Sequence, residues 1–149
     1  MTREISQAIE IDASPDQVWS VFTDTASFPS WNPFMRKLEG ELTVGAKLVV
    51  VIQPPGRRES TFRPTVLTVA PARELRWLGR LPIPGLFDGE HSLRLEPTLD
   101  GDTRFTQAEK FSGILAAPFK GVPDSTAMGF GQMNQALKTR VDGEQGAQL

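Results

Sequence analysis

The chain has 149 residues, 16 basic and 18 acidic side chains, one histidine and no cysteine. That length suits one hydrophobic core, and the missing cysteine excludes disulfides, thiolate chemistry and thiolate metal sites, while one histidine rules out a multi-histidine metal site within the chain. A formal charge of -2 gives no electrostatic drive toward nucleic acid or an anionic membrane, and no apolar run approaches the roughly 18 residues of a membrane helix.

Met1-Thr2-Arg3-Glu4-Ile5 enters an alternating segment at once and lacks the apolar stretch of a signal peptide, so a cytoplasmic location is expected. Ile5, Gln7, Ile9 and Ile11 share one parity and predict a first strand over 4–11. Ser14, Pro15 and Gln17 then spell a helix start, with Ser14 as N-cap and Gln17 three residues on, and Val18, Trp19 and Phe22 form the apolar stripe. The connector from Thr25 to Phe34, broken by Pro29 and Pro33, carries Phe28, Trp31 and Phe34, which suggests a second brief helix folded against the core.

From Met35 the pattern is one of strands and turns: 35–39, 48–52, 61–69, 74–79, 91–95 and 104–111, with Asp100-Gly101 marking the last hairpin and 81–88 a loop. Short links in series imply an antiparallel meander. Residues 113–123 are ambiguous because Pro118, Gly121 and Pro123 limit regular structure. After Pro123 a helix of about 18 residues is expected, burying Ala127, Phe130, Met133, Leu137 and Val141, with Gly129 and Gly131 serving close packing or local looseness. Gly143 onward has no apolar periodicity and reads as a frayed tail, which leaves about 4–141 as the core of a single domain spanning 1–149.

The last hairpin carries the sharpest geometric expectation. Strand alternation places Gln107 and Glu109 on the face that buries Phe105 and Phe111, and His91, Leu93 and Leu95 share the facing parity. If Leu95 lies opposite Phe105, then Leu93 lies opposite Gln107 and His91 opposite Glu109, so an imidazole and a carboxylate meet on the concave side. Such a pair suits acid/base chemistry or simply satisfies two polar groups within a sheet. Trp77 is a cavity wall or a core plug. Covalent catalysis has no support, since no nucleophile stands beside a base, and no glycine-rich phosphate loop joins a strand to a helix. Arg73, Arg76 and Arg80 read as ordinary solvated surface.

The segments Ala13-Ser14-Pro15-Asp16-Gln17-Val18-Trp19, Phe28-Pro29-Ser30-Trp31-Asn32-Pro33-Phe34, Leu75-Arg76-Trp77-Leu78-Gly79, Gly89-Glu90-His91-Ser92-Leu93 and Glu109-Lys110-Phe111-Ser112-Gly113 occur in this order along nearly the whole chain. Their order resembles the α+β helix-grip fold of the START-like or SRPBCC superfamily, near its polyketide cyclase/dehydrase-like and CoxG-like members. The resemblance implies a curved antiparallel sheet around a long C-terminal helix, two short helices after the first strand, and a cavity for hydrophobic or amphipathic molecules.

On that basis the expected function is binding of a small hydrophobic or aromatic ligand between sheet and helix. Its wall would be Trp77, Leu93, Phe105, Phe111, Phe130 and Met133, with His91, Gln107 and Glu109 as polar groups. One alternative is a cyclase, dehydratase or isomerase using His91 and Glu109 as an acid/base pair. Another is a protein-interaction module with no functional cavity. No cofactor or metal is expected, no nucleic acid or inserted membrane is a partner, and the protein would be a monomer or homodimer.

Overall fold

The computed structural model describes residues 2–80, 88–112 and 122–147. Of the loop expected at 81–88, residues 81–87 lie outside the described residues and Asp88 already belongs to a strand; of the ambiguous stretch 113–123, residues 113–121 lie outside them and Val122 and Pro123 open the last helix; 148–149 of the expected tail lie outside as well. The first strand, β1 (Thr2–Ile11), leads into α1 (Pro15–Phe22), a 3-10 turn (Thr25–Ser27) and α2 (Phe28–Trp31). Then come β2 (Met35–Glu39), β3 (Val49–Ile52), β4 (Ser60–Phe62), β5 (Thr65–Ala70), β6 (Glu74–Arg80), β7 (Asp88–Pro97), β8 (Thr103–Ser112) and α3 (Val122–Ala147).

All strand pairings are antiparallel, in the orders β1-β8-β7-β6-β5 and β2-β3-β4. A Lys47–Thr65 bridge and a hydrogen bond from the Leu48 N–H to the Pro64 carbonyl at 2.9 Å join the two sheets. The result is the curved antiparallel sheet wrapped around a long C-terminal helix, with two short helices after β1, that the sequence leads one to expect. The segment 61–69 differs from a single strand. Pro64 has no N–H to give to a ladder, so the run divides into β4 and β5, and Pro64 accepts a bond instead.

Local chemistry sets the element ends. The Ser14 Oγ accepts the Gln17 N–H at 3.3 Å while the Gln17 Oε1 accepts the Ser14 N–H at 3.2 Å, a reciprocal cap that satisfies two donors at the α1 terminus. At the far end of the connector, the Asn32 Oδ1 accepts the N–H groups of Phe34 and Met35 at 3.0 and 2.9 Å and turns the chain from α2 into β2. Val18 and Phe22 of α1 and Phe28 of α2 are buried in one core with Leu75, Trp77, Leu93, Leu95 and Phe105 of the sheet.

Phe130, Met133, Leu137 and Val141 of α3 complete that core, as the helical period requires. Ala127 on the same stripe is only partly covered, and Thr126 and Asn134 are also buried. The helix is longer than the expected 18 or so residues: it continues past Gly143 to Ala147, with Arg140 and Glu144 paired at 3.5 Å on successive turns.

The two helix glycines have different roles. A Cβ on Gly129 would lie 2.3 Å from the Phe34 ring, whereas one on Gly131 would meet nothing within 4 Å. Gly129 is therefore the site at which Phe34 packs against the α3 backbone, and it brings Phe34 into edge-to-face contact with Phe130 at 5.5 Å. Gly131→Ala is expected to raise stability by about 0.5 to 1 kcal/mol, the helix-propensity gain alone. Gly129→Ala should lower it by about 1 to 3 kcal/mol through overpacking. Urea titration of both variants checks the difference in sign.

Candidate functional site

The inner face of the large sheet is laid out in rows by strand register. Leu95 pairs with Phe105, Leu93 with Gln107, His91 with Glu109 and Gly89 with Phe111. On the other side of β7, Leu75 pairs with Leu93, Trp77 with His91 and Gly79 with Gly89. The register expected for the last hairpin is therefore present, and it sets Trp77, His91 and Glu109 side by side in one row.

The apolar members of the expected wall divide between two regions. Phe105 packs against Phe22 of α1, ring centroids 5.6 Å apart. Trp77, Leu93 and Met133 meet Phe22, Phe28, Met35, Leu38 and Leu75 around a space too small for a water molecule, so this side of the interior is solid core. Toward the other end of the sheet, Phe130 of α3 meets His91 in an edge-to-face contact at 5.0 Å, and Trp77 stacks on the imidazole at 5.0 Å and 15°. Phe111 lies one row beyond, also buried.

Among these rings sits a polar cluster. The His91 Nδ1 is 3.7 Å from the Glu109 Oε2, with the histidine side chain 3% and the glutamate side chain 17% exposed. Solvent thus approaches the cluster past Glu109. The glycine row makes room for that carboxylate: a Cβ on Gly89 would lie 2.8 Å from the Glu109 Oε1, and Phe62 covers neighbouring Gly79. In the adjacent row the Gln107 Nε2 donates to the Asn134 Oδ1 at 2.7 Å, and the Asn134 Nδ2 donates to the Gln7 carbonyl at 3.0 Å. Two buried atoms of the cluster, His91 Nε2 and Gln107 Oε1, have no hydrogen-bond partner among the described residues.

Asn134 is a site residue that reading of the sequence missed. Its signal was present: it stands at the fourth position after Phe130 and one after Met133, within the stripe that the helix buries. Gly89 was likewise passed over, since a strand glycine acquires meaning here only through its cross-strand neighbours.

Other surfaces carry less chemistry. On the outer sheet face Arg76 meets Glu74 and Glu90, each at 3.0 Å; the hydrogen bond to Glu74 is the main reason its guanidinium pKa lies above the ordinary value, against a smaller effect of burial. A wide groove of about 920 Å³ runs between Trp31, Pro33 and the outward face of α3 at Gln132, Gln135, Ala136 and Thr139. It is open to solvent and contains none of the polar cluster. Among the described residues no group of three acidic, histidine or cysteine side chains is placed to hold a metal, and no helix is long and apolar enough to cross a membrane.

A family model described as polyketide cyclase / dehydrase and lipid transport matches residues 2–142. The chain belongs to that family. Among curated proteins none matches it significantly. Solved structures share the fold at low identity. A START superfamily protein from Mycobacterium smegmatis superposes with a TM-score of 0.73 at 18% identity, covering 94% of this chain and 97% of that one. Norcoclaurine synthase from Thalictrum flavum gives 0.70 at 18%, covering 95% and 87%. The di-domain ARO/CYC StfQ of the steffimycin biosynthetic pathway gives 0.69 at 11%, covering 99% of this chain and 52% of that one.

If Glu109 orients the imidazole, its removal should release the ring tautomer. With one histidine in the chain, nitrogen-15 NMR of the neutral side chain reads the tautomer without assignment. The wild type should carry its proton on Nδ1, facing the carboxylate, and Glu109→Met should move population toward the Nε2-protonated form. An unchanged ratio would show that the carboxylate does not hold the ring.

Proposed function

We propose that this family member binds a small, largely apolar ligand at the end of the interior bounded by Trp77, Phe111 and Phe130, with His91, Gln107 and Glu109 as its polar anchors. The observation that carries this reading is the pair of buried atoms on His91 and Gln107 that have no hydrogen-bond partner among the described residues. A buried polar group left unsatisfied costs about 1 to 3 kcal/mol. Two of them are a large fraction of the roughly 5 to 15 kcal/mol that holds a domain folded, and a purely structural core would replace them with apolar side chains. An apolar lining with a few convergent polar groups is the usual make-up of a small-molecule site. Norcoclaurine synthase, which shares the fold, is known in complex with dopamine and hydroxybenzaldehyde, so this scaffold accommodates small aromatic molecules.

A second reading rests on the imidazole alone. With Nδ1 toward a carboxylate and Nε2 unpartnered, His91 has the arrangement of a general base or acid held by an orienting group, suited to cyclisation, dehydration or isomerisation. On that reading His91→Gln lowers turnover of a bound substrate by about 10² to 10⁴-fold while changing its affinity far less. In a carrier the substitution changes affinity alone.

The test of ligand binding uses the neutral fluorescent probe N-phenyl-1-naphthylamine. Saturable emission enhancement at one site is expected for the wild-type protein. Gly89→Val should abolish it, because the added side chain takes the space beside the Glu109 carboxylate, while a β-branched residue suits a strand and the displaced carboxylate is flexible. Circular dichroism confirms that the variant is folded. Equal binding by wild type and Gly89→Val would place the ligand elsewhere, and no binding by either would refute the reading.

A further inference from the structure

The hydrogen-bond connectivity around Gln107 specifies the chemistry of the ligand as well as its place. A primary amide can present either its oxygen or its nitrogen, and neighbours decide which. Here the chain of decisions starts from a group that cannot be reversed. The Gln7 backbone carbonyl only accepts, so the Asn134 amide must turn its Nδ2 toward it, at 3.0 Å. That leaves the Asn134 Oδ1 facing Gln107, and an acceptor there requires the Gln107 Nε2, at 2.7 Å. The Gln107 Oε1 is consequently the end left over, fully buried and partnerless among the described residues. It is an acceptor by construction.

The neighbouring groups have the same polarity. Glu109, two residues along the same face of β8, offers carboxylate oxygens. In the neutral imidazole with its proton on Nδ1 toward Glu109, the His91 Nε2 presents a lone pair. Three acceptors thus stand in two adjacent rows of a largely apolar interior, and the amide nitrogens described beside them, Gln107 Nε2 and Asn134 Nδ2, already donate to the Asn134 Oδ1 and the Gln7 carbonyl. The Asn32 Nδ2, a buried donor without a partner among the described residues, belongs to the turn from α2 into β2, where its Oδ1 is already engaged.

We infer that the site selects an apolar molecule that donates hydrogen bonds, namely a phenol, alcohol or amine, and rejects carboxylates and donor-free ethers of the same shape. This rests on the binding reading above and specifies its ligand class. A carboxylate would bring an anion against Glu109 and an acceptor against Gln107, leaving every group unpaired. An ether would fill the same apolar volume but leave the Gln107 Oε1 as orphaned as before.

Three naphthalene probes separate these cases: 2-naphthol, 2-methoxynaphthalene and 2-naphthoate, with dissociation constants from ligand-observed NMR on the wild-type protein. The naphthol should bind about tenfold more tightly than the methyl ether, equivalent to about 1.4 kcal/mol, and the naphthoate should show no measurable binding. Asn134→Leu provides a second readout, since it frees the Gln107 amide to rotate and offer either end. In that variant the preference for naphthol over the ether and the acid should shrink, a change that a merely structural asparagine would not produce. Equal affinity for all three probes in the wild type would overturn the inference and leave the binding reading intact. Preference for the naphthoate would overturn it by showing a donor in the site. Failure of all three, with N-phenyl-1-naphthylamine also unbound, would remove the reading on which it rests.

Discussion

Strand alternation is the constraint on which the interior depends. The pairing of β7 with β8 runs without a bulge from Asp88–Ser112 to Pro97–Thr103, and a pleated strand cannot bury two residues of one parity without turning those of the same parity between them to the same face. Burial of Phe105 and Phe111 therefore carries Gln107 and Glu109 inward. The same rule on β7 carries His91 inward with Leu93 and Leu95. A shift of one residue would exchange this set for Arg94, Glu96, Arg104 and Lys110, whose charges could not be buried beneath α3. The polar cluster is thus anchored by the hydrophobic register, and its members cannot move apart without unpairing the hairpin.

The helix then divides the interior into a filled end and a polar end. Gly129 lets Phe34 reach the helix backbone, and Met133 closes with Trp77 and Leu93 against α1 and α2, where no room for water remains. At the same level of α3, Asn134 ties Gln107 to the Gln7 carbonyl of β1, while Lys138 one turn later donates to the Glu10 carbonyl at 3.1 Å. The contacts that seat the helix on the sheet are therefore the ones that orient the Gln107 amide. On the proposed reading stability and recognition share a residue here, and a change at Asn134 would alter both.

Much of this fold is legible in the sequence because its signals are local or periodic. Ser14 and Gln17 make the cap that their spacing announces, and Phe130, Met133, Leu137 and Val141 lie on the buried side that a 3.6-residue period requires. The hairpin register follows from parity together with the Asp100-Gly101 turn, where Gly101 takes φ +84°. Features that depend on distant partners were not legible. Pro64, which lacks the N–H a ladder needs, divides a β-prone run and gives its carbonyl to Leu48, and Ala72 holds φ 61° in the turn after Pro71, a conformation usually left to glycine. The opposite behaviour of Gly129 and Gly131 depends on Phe34, nearly a hundred residues away in the chain. For the site, parity places His91 beside Glu109, but the direction of the Gln107 amide is decided by Asn134 and Gln7, which no spacing rule connects.

Surface features also bear on the choice between an interior ligand and a protein partner. The large apolar side chains most exposed among the described residues, Val44, Leu67, Leu99 and Met128, belong to separate loops, a strand and the helix. Scattered apolar residues of this kind are ordinary on monomeric proteins, and among the described residues these four lie on separate elements. The outer groove beside Trp31 is open, and the charged residues along it, Arg140 and Glu144, are engaged with each other. Inside, by contrast, the Gln107 Oε1 and the His91 Nε2 are buried without partners among the described residues. A protein can retain an exposed leucine at almost no cost, whereas an unsatisfied buried amide oxygen costs about 1 to 3 kcal/mol unless a water or another molecule relieves it. The imbalance lies in the interior, so the strongest call for a partner in this molecule comes from Gln107 and His91.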